Sequence, residues 1–123
     1  MEPKLYSSHA IANEFIKLAE EQGRQLTNMQ LQKLVYIANG FSLAINDRPL
    51  YFEDTQAWQW GPVIPKLYKS LRKYGSSTVD EYLETEDKVI NGSPEYEIVR
   101  AVFDNYGRYT GSQLSSLTHQ PNT

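Results

Sequence analysis

Ala57-Trp58-Gln59-Trp60-Gly61-Pro62-Val63-Ile64-Pro65-Lys66-Leu67-Tyr68 holds both tryptophans and two of the six prolines of a 123-residue chain. Tryptophan buries a large apolar ring but carries an N–H that needs a partner. Two of them, one residue apart and ahead of a Gly-Pro break, mark extended backbone rather than a helix interior. In such a segment Trp58 and Trp60 point to the same face. Pro62 presets the φ of a starting helix, and Pro65 still falls in the first turn, where N–H groups have no intrahelical partner. The stretch therefore reads as aromatic strand, tight turn, helix. Just upstream, Leu50-Tyr51-Phe52 predicts a companion strand, antiparallel to residues 57–60 across Glu53-Asp54-Thr55-Gln56. A ribbon of two short strands is stable only against helices.

The helices are legible on both sides of it. Ile11, Ala12, Phe15, Ile16, Leu18 and Ala19 recur on one arc of a helix over Ser8–Glu21, which Gly23 ends. Thr27 with Gln30 has the form of a capping box and opens a second helix to about residue 45, before Asn46-Asp47-Arg48-Pro49 turns the chain. On its wheel Leu31, Leu34, Ile37, Ala38, Phe41, Ala44 and Ile45 form a broad apolar arc. Met29, Tyr36 and Leu43 form a heptad-spaced second row, with Asn28, Gln32, Asn39 and Ser42 between. Two apolar faces mean either a helix sandwiched in its own core or one that keeps a face for a partner. A third helix over residues 62–74 sets Val63, Ile64, Leu67, Tyr68, Leu71 and Tyr74 against a basic side of Lys66, Lys69, Arg72 and Lys73. An acidic loop with Asp80, Glu81, Glu84, Glu86 and Asp87 follows, with short extended pieces near Val79 and Val89-Ile90. Ser93 and Pro94 then open a fourth helix that Gly107 closes. Thr110 caps a last short one. The fold class is α+β: one predominantly helical domain over residues 1–123 with a short two-stranded antiparallel ribbon. Phe15, Leu18, Leu31, Leu34, Ala38, Phe41, Leu67, Leu71, Ile98, Val102 and Phe103 are its expected core.

Composition narrows the chemistry. The chain has no cysteine, which removes disulfides, thiol catalysis and thiolate metal sites. Its net charge of −3 argues against binding nucleic acid through phosphate neutralisation. No apolar run approaches the roughly 20 residues that span a bilayer, and Met1-Glu2-Pro3-Lys4 lacks a signal-peptide layout, so a cytoplasmic protein is expected. His9 and His119 lie near opposite ends, in no metal-ligand spacing. No phosphate loop, nucleophile elbow or HExxH helix occurs. The acidic loop lacks the alternating ligands and central glycine of a calcium loop. The expectation is a protein with no catalytic residues, metal or cofactor.

The order of four motifs adds a family. Leu31-Gln32-Lys33-Leu34-Val35-Tyr36, Pro49-Leu50-Tyr51-Phe52-Glu53, residues 57–65 and Leu114-Ser115-Ser116-Leu117-Thr118-His119 together strongly resemble the Panacea domain, which includes SocA-like antitoxins and phage-associated GepA-like proteins. The resemblance implies an antitoxin that neutralises a cognate protein toxin by direct binding and is carried on a prophage or other mobile element. Alternatives are a DNA-binding autoregulator and an adaptor that delivers the bound toxin to a protease. The first is disfavoured because the second helix, which a helix–turn–helix would use for recognition, is largely apolar and offers only Lys33 as a cation. Panacea domains also carry a Pro-Trp step after Thr118-His119 that is missing here, so a shortened or missing tail is expected.

A binding protein needs a contact surface. Nine tyrosines exceed what a small core can satisfy, so several should be exposed, where amphipathic rings favour protein contacts. Trp58 and Trp60 are core by default, with a contact role as the alternative. The expected partner-binding set is Met29, Tyr36, Leu43, Trp58, Trp60 and Pro62, rimmed by Lys66, Lys69, Arg72 and Lys73.

Overall fold

Ser7, in extended backbone, caps the first helix: its hydroxyl accepts the Ala10 N–H at 3.0 Å, and α1 (Ser8–Glu21) follows. The computed structural model describes residues 5–59 and 61–118. Gly23, at φ 69°, donates to the Glu20 carbonyl while Arg24 donates to Ala19, both at 2.9 Å. Glycine takes this left-handed conformation at no Cβ penalty, so the helix stops here. A short strand β1 (Leu26–Thr27) leads into α2 (Asn28–Asn46). The capping box is formed: Thr27 Oγ1 accepts the Gln30 N–H at 3.2 Å, and Gln30 Oε1 accepts the Thr27 N–H at 2.8 Å. Asp47, at φ 57°, ends the helix.

The remaining elements are β2 (Gln56–Trp58), β3 (Gly61–Val63), α3 (Pro65–Leu71) continued by a 3-10 turn over Arg72–Tyr74, β4 (Thr78–Val79), α4 (Pro94–Tyr106) and α5 (Gly111–Thr118). Helix α2 is central, with α1, α3, α4, α5 and β3 all packed on it. Leu31, Leu34, Val35 and Ala38 are fully buried, in one core with Ile11 and Phe15 of α1, Leu67 and Leu71 of α3, Val99 and Val102 of α4, and Leu114 of α5. Each large side chain withdrawn from water contributes about 1.5–3 kcal/mol. The expected core is present throughout, Phe41 being half-buried with its ring edge-on to Tyr106 at 6.2 Å. The apolar arc of α2 is shorter than expected: Ala44 and Ile45 are exposed, because the last turn projects past the core.

The fold class is as expected, mostly helical with small two-stranded antiparallel sheets, but the ribbon is placed differently. Among the described residues, 50–52 do not pair with 57–59. Tyr51 instead forms a parallel bridge with Tyr6, fixed by Tyr6 N–H to Leu50 O at 3.0 Å and Phe52 N–H to Tyr6 O at 3.2 Å. Strand β2 pairs antiparallel with β3, Ala57 opposite Pro62 and Trp58 opposite Gly61. The reversal rests on Gly61, whose φ of 108° excludes other side chains. Proline is tolerated there because a two-stranded ribbon has only edges. The same choice shortens the third helix, which starts at Pro65 and not at Pro62. A residue before proline is pushed out of the helical region, and Ile64 accordingly sits extended at φ −98°, ψ 103°. A second small sheet pairs Leu26 with Val79 and Thr27 with Thr78.

The acidic loop folds back on α1. Asp87 accepts the Ser7 N–H and hydroxyl, both at 2.7 Å, and Asn13 exchanges two hydrogen bonds with the Leu83 backbone. Burial opposes the Asp87 charge, but bonds from Thr85 and Ser7 outweigh it and hold its carboxyl below the ordinary range. Ser93 caps α4 with Pro94 at its first position, and Gly107 ends it. A Cβ on Gly107 would meet Phe103 O at 2.5 Å, so glycine is required there for space.

Candidate partner-binding surface

The first turn of α2, the β2–β3 ribbon, the end of α3 and the first turn of α5 enclose an open groove of about 530 Å³. Trp58 stands on its ribbon side, 39% exposed, held edge-on to Tyr68 at 5.1 Å between centroids and donating Nε1–H to Gln56 Oε1 at 3.0 Å. Met29 forms the opposite side and packs on Gly111, where a Cβ would meet the methionine side chain at 3.1 Å. Arg72 and Val63 complete the wall.

Beneath lie three polar residues of α2. Lys33 is only 2% exposed, and its ammonium donates to Pro62 O at 2.8 Å. Burial lowers its pKa to about 8, since removing an ammonium from water disfavours the charged form. Gln32 Oε1 accepts the Ile64 N–H at 3.0 Å, the bond that ties the start of α3 to α2. This fixes the amide orientation and leaves Gln32 Nε2 buried with no partner. Asn28 Oδ1, one helical turn earlier, is buried and unpartnered too.

Of the ten residues expected to bind a partner, Met29, Trp58 and Arg72 line this groove, and Pro62 supplies the carbonyl that holds Lys33. Tyr36 is half-buried and Leu43 exposed, but both lie along α2 away from the groove. Leu43 is about 21 Å down the axis from Met29 at 1.5 Å per residue. Lys66, Lys69 and Lys73 are exposed and flank the groove without lining it. Trp60 lies outside the described residues, as does His119. Asn28, Gln32, Lys33 and Tyr68 belong to the surface although sequence reasoning did not select them. The available signal was the interruption of an apolar helix by Asn28, Gln32 and Lys33, where i and i+4 share a face.

Elsewhere His9 Nε2 meets Ser70 Oγ at 3.1 Å, joining α1 to α3. Among the described residues no three His, Asp or Glu side chains gather as a metal site. No described helix is long and apolar enough to cross a membrane.

A family model described as Antitoxin SocA-like, Panacea domain, matches residues 31–123. The chain belongs to the SocA-like antitoxin family. Its Panacea domain match covers α2 from Leu31 onward, the ribbon and every lining residue of the groove except Thr27, Asn28 and Met29. Antitoxin SocA of Caulobacter vibrioides (strain NA1000 / CB15N) is 28% identical over 127 residues, covering 96% of this chain and 68% of that relative. No solved structure matches.

Proposed function

We propose that this SocA-like chain is an antitoxin that neutralises a cognate protein toxin by direct association, with the groove beside Trp58 as its docking site. The observation that carries the siting is the half-exposed Trp58 ring beside a concave surface with unpaired polar atoms at its base. Interface hot spots combine a large aromatic anchor with a sheltered pocket, and tryptophan is over-represented among them. Binding requires no catalytic constellation, which fits a chain whose only described histidine contacts a serine with no carboxylate alongside.

The test uses the neighbouring reading frame. Its expression alone should arrest growth, and co-expression with this chain should restore it with the two proteins co-purifying. Trp58→Ala should then weaken association by roughly thirtyfold, about 2 kcal/mol, while the melting temperature stays near wild type because the ring is already half in water. Rescue without association, or unchanged affinity in a folded Trp58→Ala protein, would sink the mechanism or the siting respectively.

A further inference from the structure

Four features of the groove point to the chemistry of what enters it. Lys33 is a buried ammonium with three donors and one neutral acceptor. It takes part in none of the ion pairs among the described residues, and no described Asp or Glu lines the groove. Second, Gln32 Nε2 and Asn28 Oδ1 form an unpaired donor and acceptor on one face of α2. Their side chains at i and i+4 start about 5–6 Å apart. Along an extended chain, residues i and i+2 turn their N–H and C=O to the same side about 7 Å apart. Third, the N-termini of α2 and α5, of 19 and 8 residues, both open here through residues 27–29 and 110–112. Their dipoles add positive potential to that of Lys33 and Arg72. Fourth, Met29, Trp58, Val63 and Tyr68 leave the walls apolar.

We propose that the groove binds an extended acidic segment of a protein partner, Asn28 Oδ1 accepting a backbone N–H, Gln32 Nε2 donating to a backbone C=O, and Lys33 pairing with a carboxylate. The inference rests on the groove being the docking site. An isolated anion such as phosphate fits less well, because Asn28 Oδ1 is an acceptor and would repel it. A peptide answers both atoms, and alternate apolar side chains would meet Trp58 and Met29. An unsatisfied buried polar atom costs about 1–3 kcal/mol, and the partner relieves two of them at once. Neither amide atom is open to water in the free protein, so the segment must push aside lining side chains, of which Met29 is the most flexible.

The test uses two acetylated, amidated hexapeptides, one alternating valine with aspartate and the other valine with asparagine. Their affinities are measured by tryptophan fluorescence, and the Lys33 ammonium is followed by the NMR shift of its Cε. The other titratable groups lining the groove are Tyr68 and Arg72 on the α3 side, and the α5 and ribbon walls contribute none among the described residues. The aspartate peptide should bind at least tenfold more tightly and raise the Lys33 pKa from about 8 toward its usual 10.5. Lys33→Met, if folded by its melting curve, should lose most of this preference, keeping only what Arg72 and the helix dipoles supply. Should that variant not fold, Gln32→Glu, which turns the free donor into an acceptor, should weaken the aspartate peptide instead. Equal binding of both peptides by wild type, binding of neither, or the same Lys33 response to inorganic phosphate would overturn the inference. So would concentration-dependent self-association that Lys33→Met abolishes, because the acidic segment would then be this chain's own residues 80–87. If the peptides are discriminated but the neighbouring gene product never binds, the antitoxin reading fails alone. If that product binds and the peptides are not discriminated, the present inference fails alone.

Discussion

Lys33 is the residue where stability meets the proposed binding. At pH 7 its ammonium is charged in both the folded and the unfolded chain, and the cost of burying it is fully present. Between the folded pKa of about 8 and the unfolded value of 10.5, the unfolded chain still holds a proton that the folded one has released. Stability therefore rises with pH across that window, by as much as about 3 kcal/mol at 1.36 kcal/mol per pKa step. Tyr51, whose burial pushes its hydroxyl from 10.0 up to about 12, acts in the opposite sense above pH 10, where the unfolded chain loses its phenol proton first, but it is common to the wild type and the variant compared below. Urea unfolding of wild type and Lys33→Met at pH 7.5 and 10.5 checks this: the wild type should gain on the variant, and parallel curves would mean that Lys33 is not desolvated. This residue was hidden from sequence reasoning for a physical reason. Periodicity assigns a lysine between apolar positions to solvent, whereas here the ribbon laid over α2 covers it and Pro62 O receives its ammonium. Met29, read as part of the second apolar row of α2, and Trp58, read as core by default with a contact role as the alternative, both line the groove.

At the scale of elements, the ends of α1, α2 and α4 were read well, whereas the start of α3 and the strand pairing were not. The bounds of α1, α2 and α4 follow from local chemistry, Ser7, the Thr27–Gln30 box and Ser93 with Pro94, that acts within four residues and needs no tertiary context. Pairing is a non-local choice: residues 50–52 have a strand-like composition, but Tyr6 supplies their partner from the far end of the sequence. The ribbon turn then depends on Gly61. Gly61→Ala should cost about 1–3 kcal/mol, because φ 108° is strained for any residue with a Cβ. Its signature should be local as well as global: faster amide exchange in Gln56–Trp58 and Gly61–Val63 with little change in α4. Uniform acceleration throughout would show that the ribbon has no stability of its own to lose. Because the ribbon carries Trp58 and roofs Lys33, the same variant should weaken toxin capture more than its loss of stability alone explains.

Across the whole molecule the net charge of −3 is unevenly spread. Lys66, Lys69, Arg72 and Lys73 project from α3 and its 3-10 extension beside the groove, while Asp80, Glu81, Glu84 and Glu86 are exposed on the loop that covers α1. An acidic partner would thus be drawn toward one face and repelled from another, the arrangement that steers encounters without holding the complex together. Lys66→Glu with Lys69→Glu tests this, since both side chains are exposed and neither lines the groove. Stability should change by less than about 1 kcal/mol, as for most exposed substitutions. Association with the toxin should slow by about tenfold at low salt, and the difference from wild type should shrink as salt rises and the screening length falls below about 10 Å. Dissociation should be nearly unchanged, because on the proposed docking the contacts that must break on release are those of Trp58, Met29 and the α2 amides. A rise in the dissociation rate with an unaltered association rate would place these lysines inside the interface and move its centre from the groove to the outer face of α3.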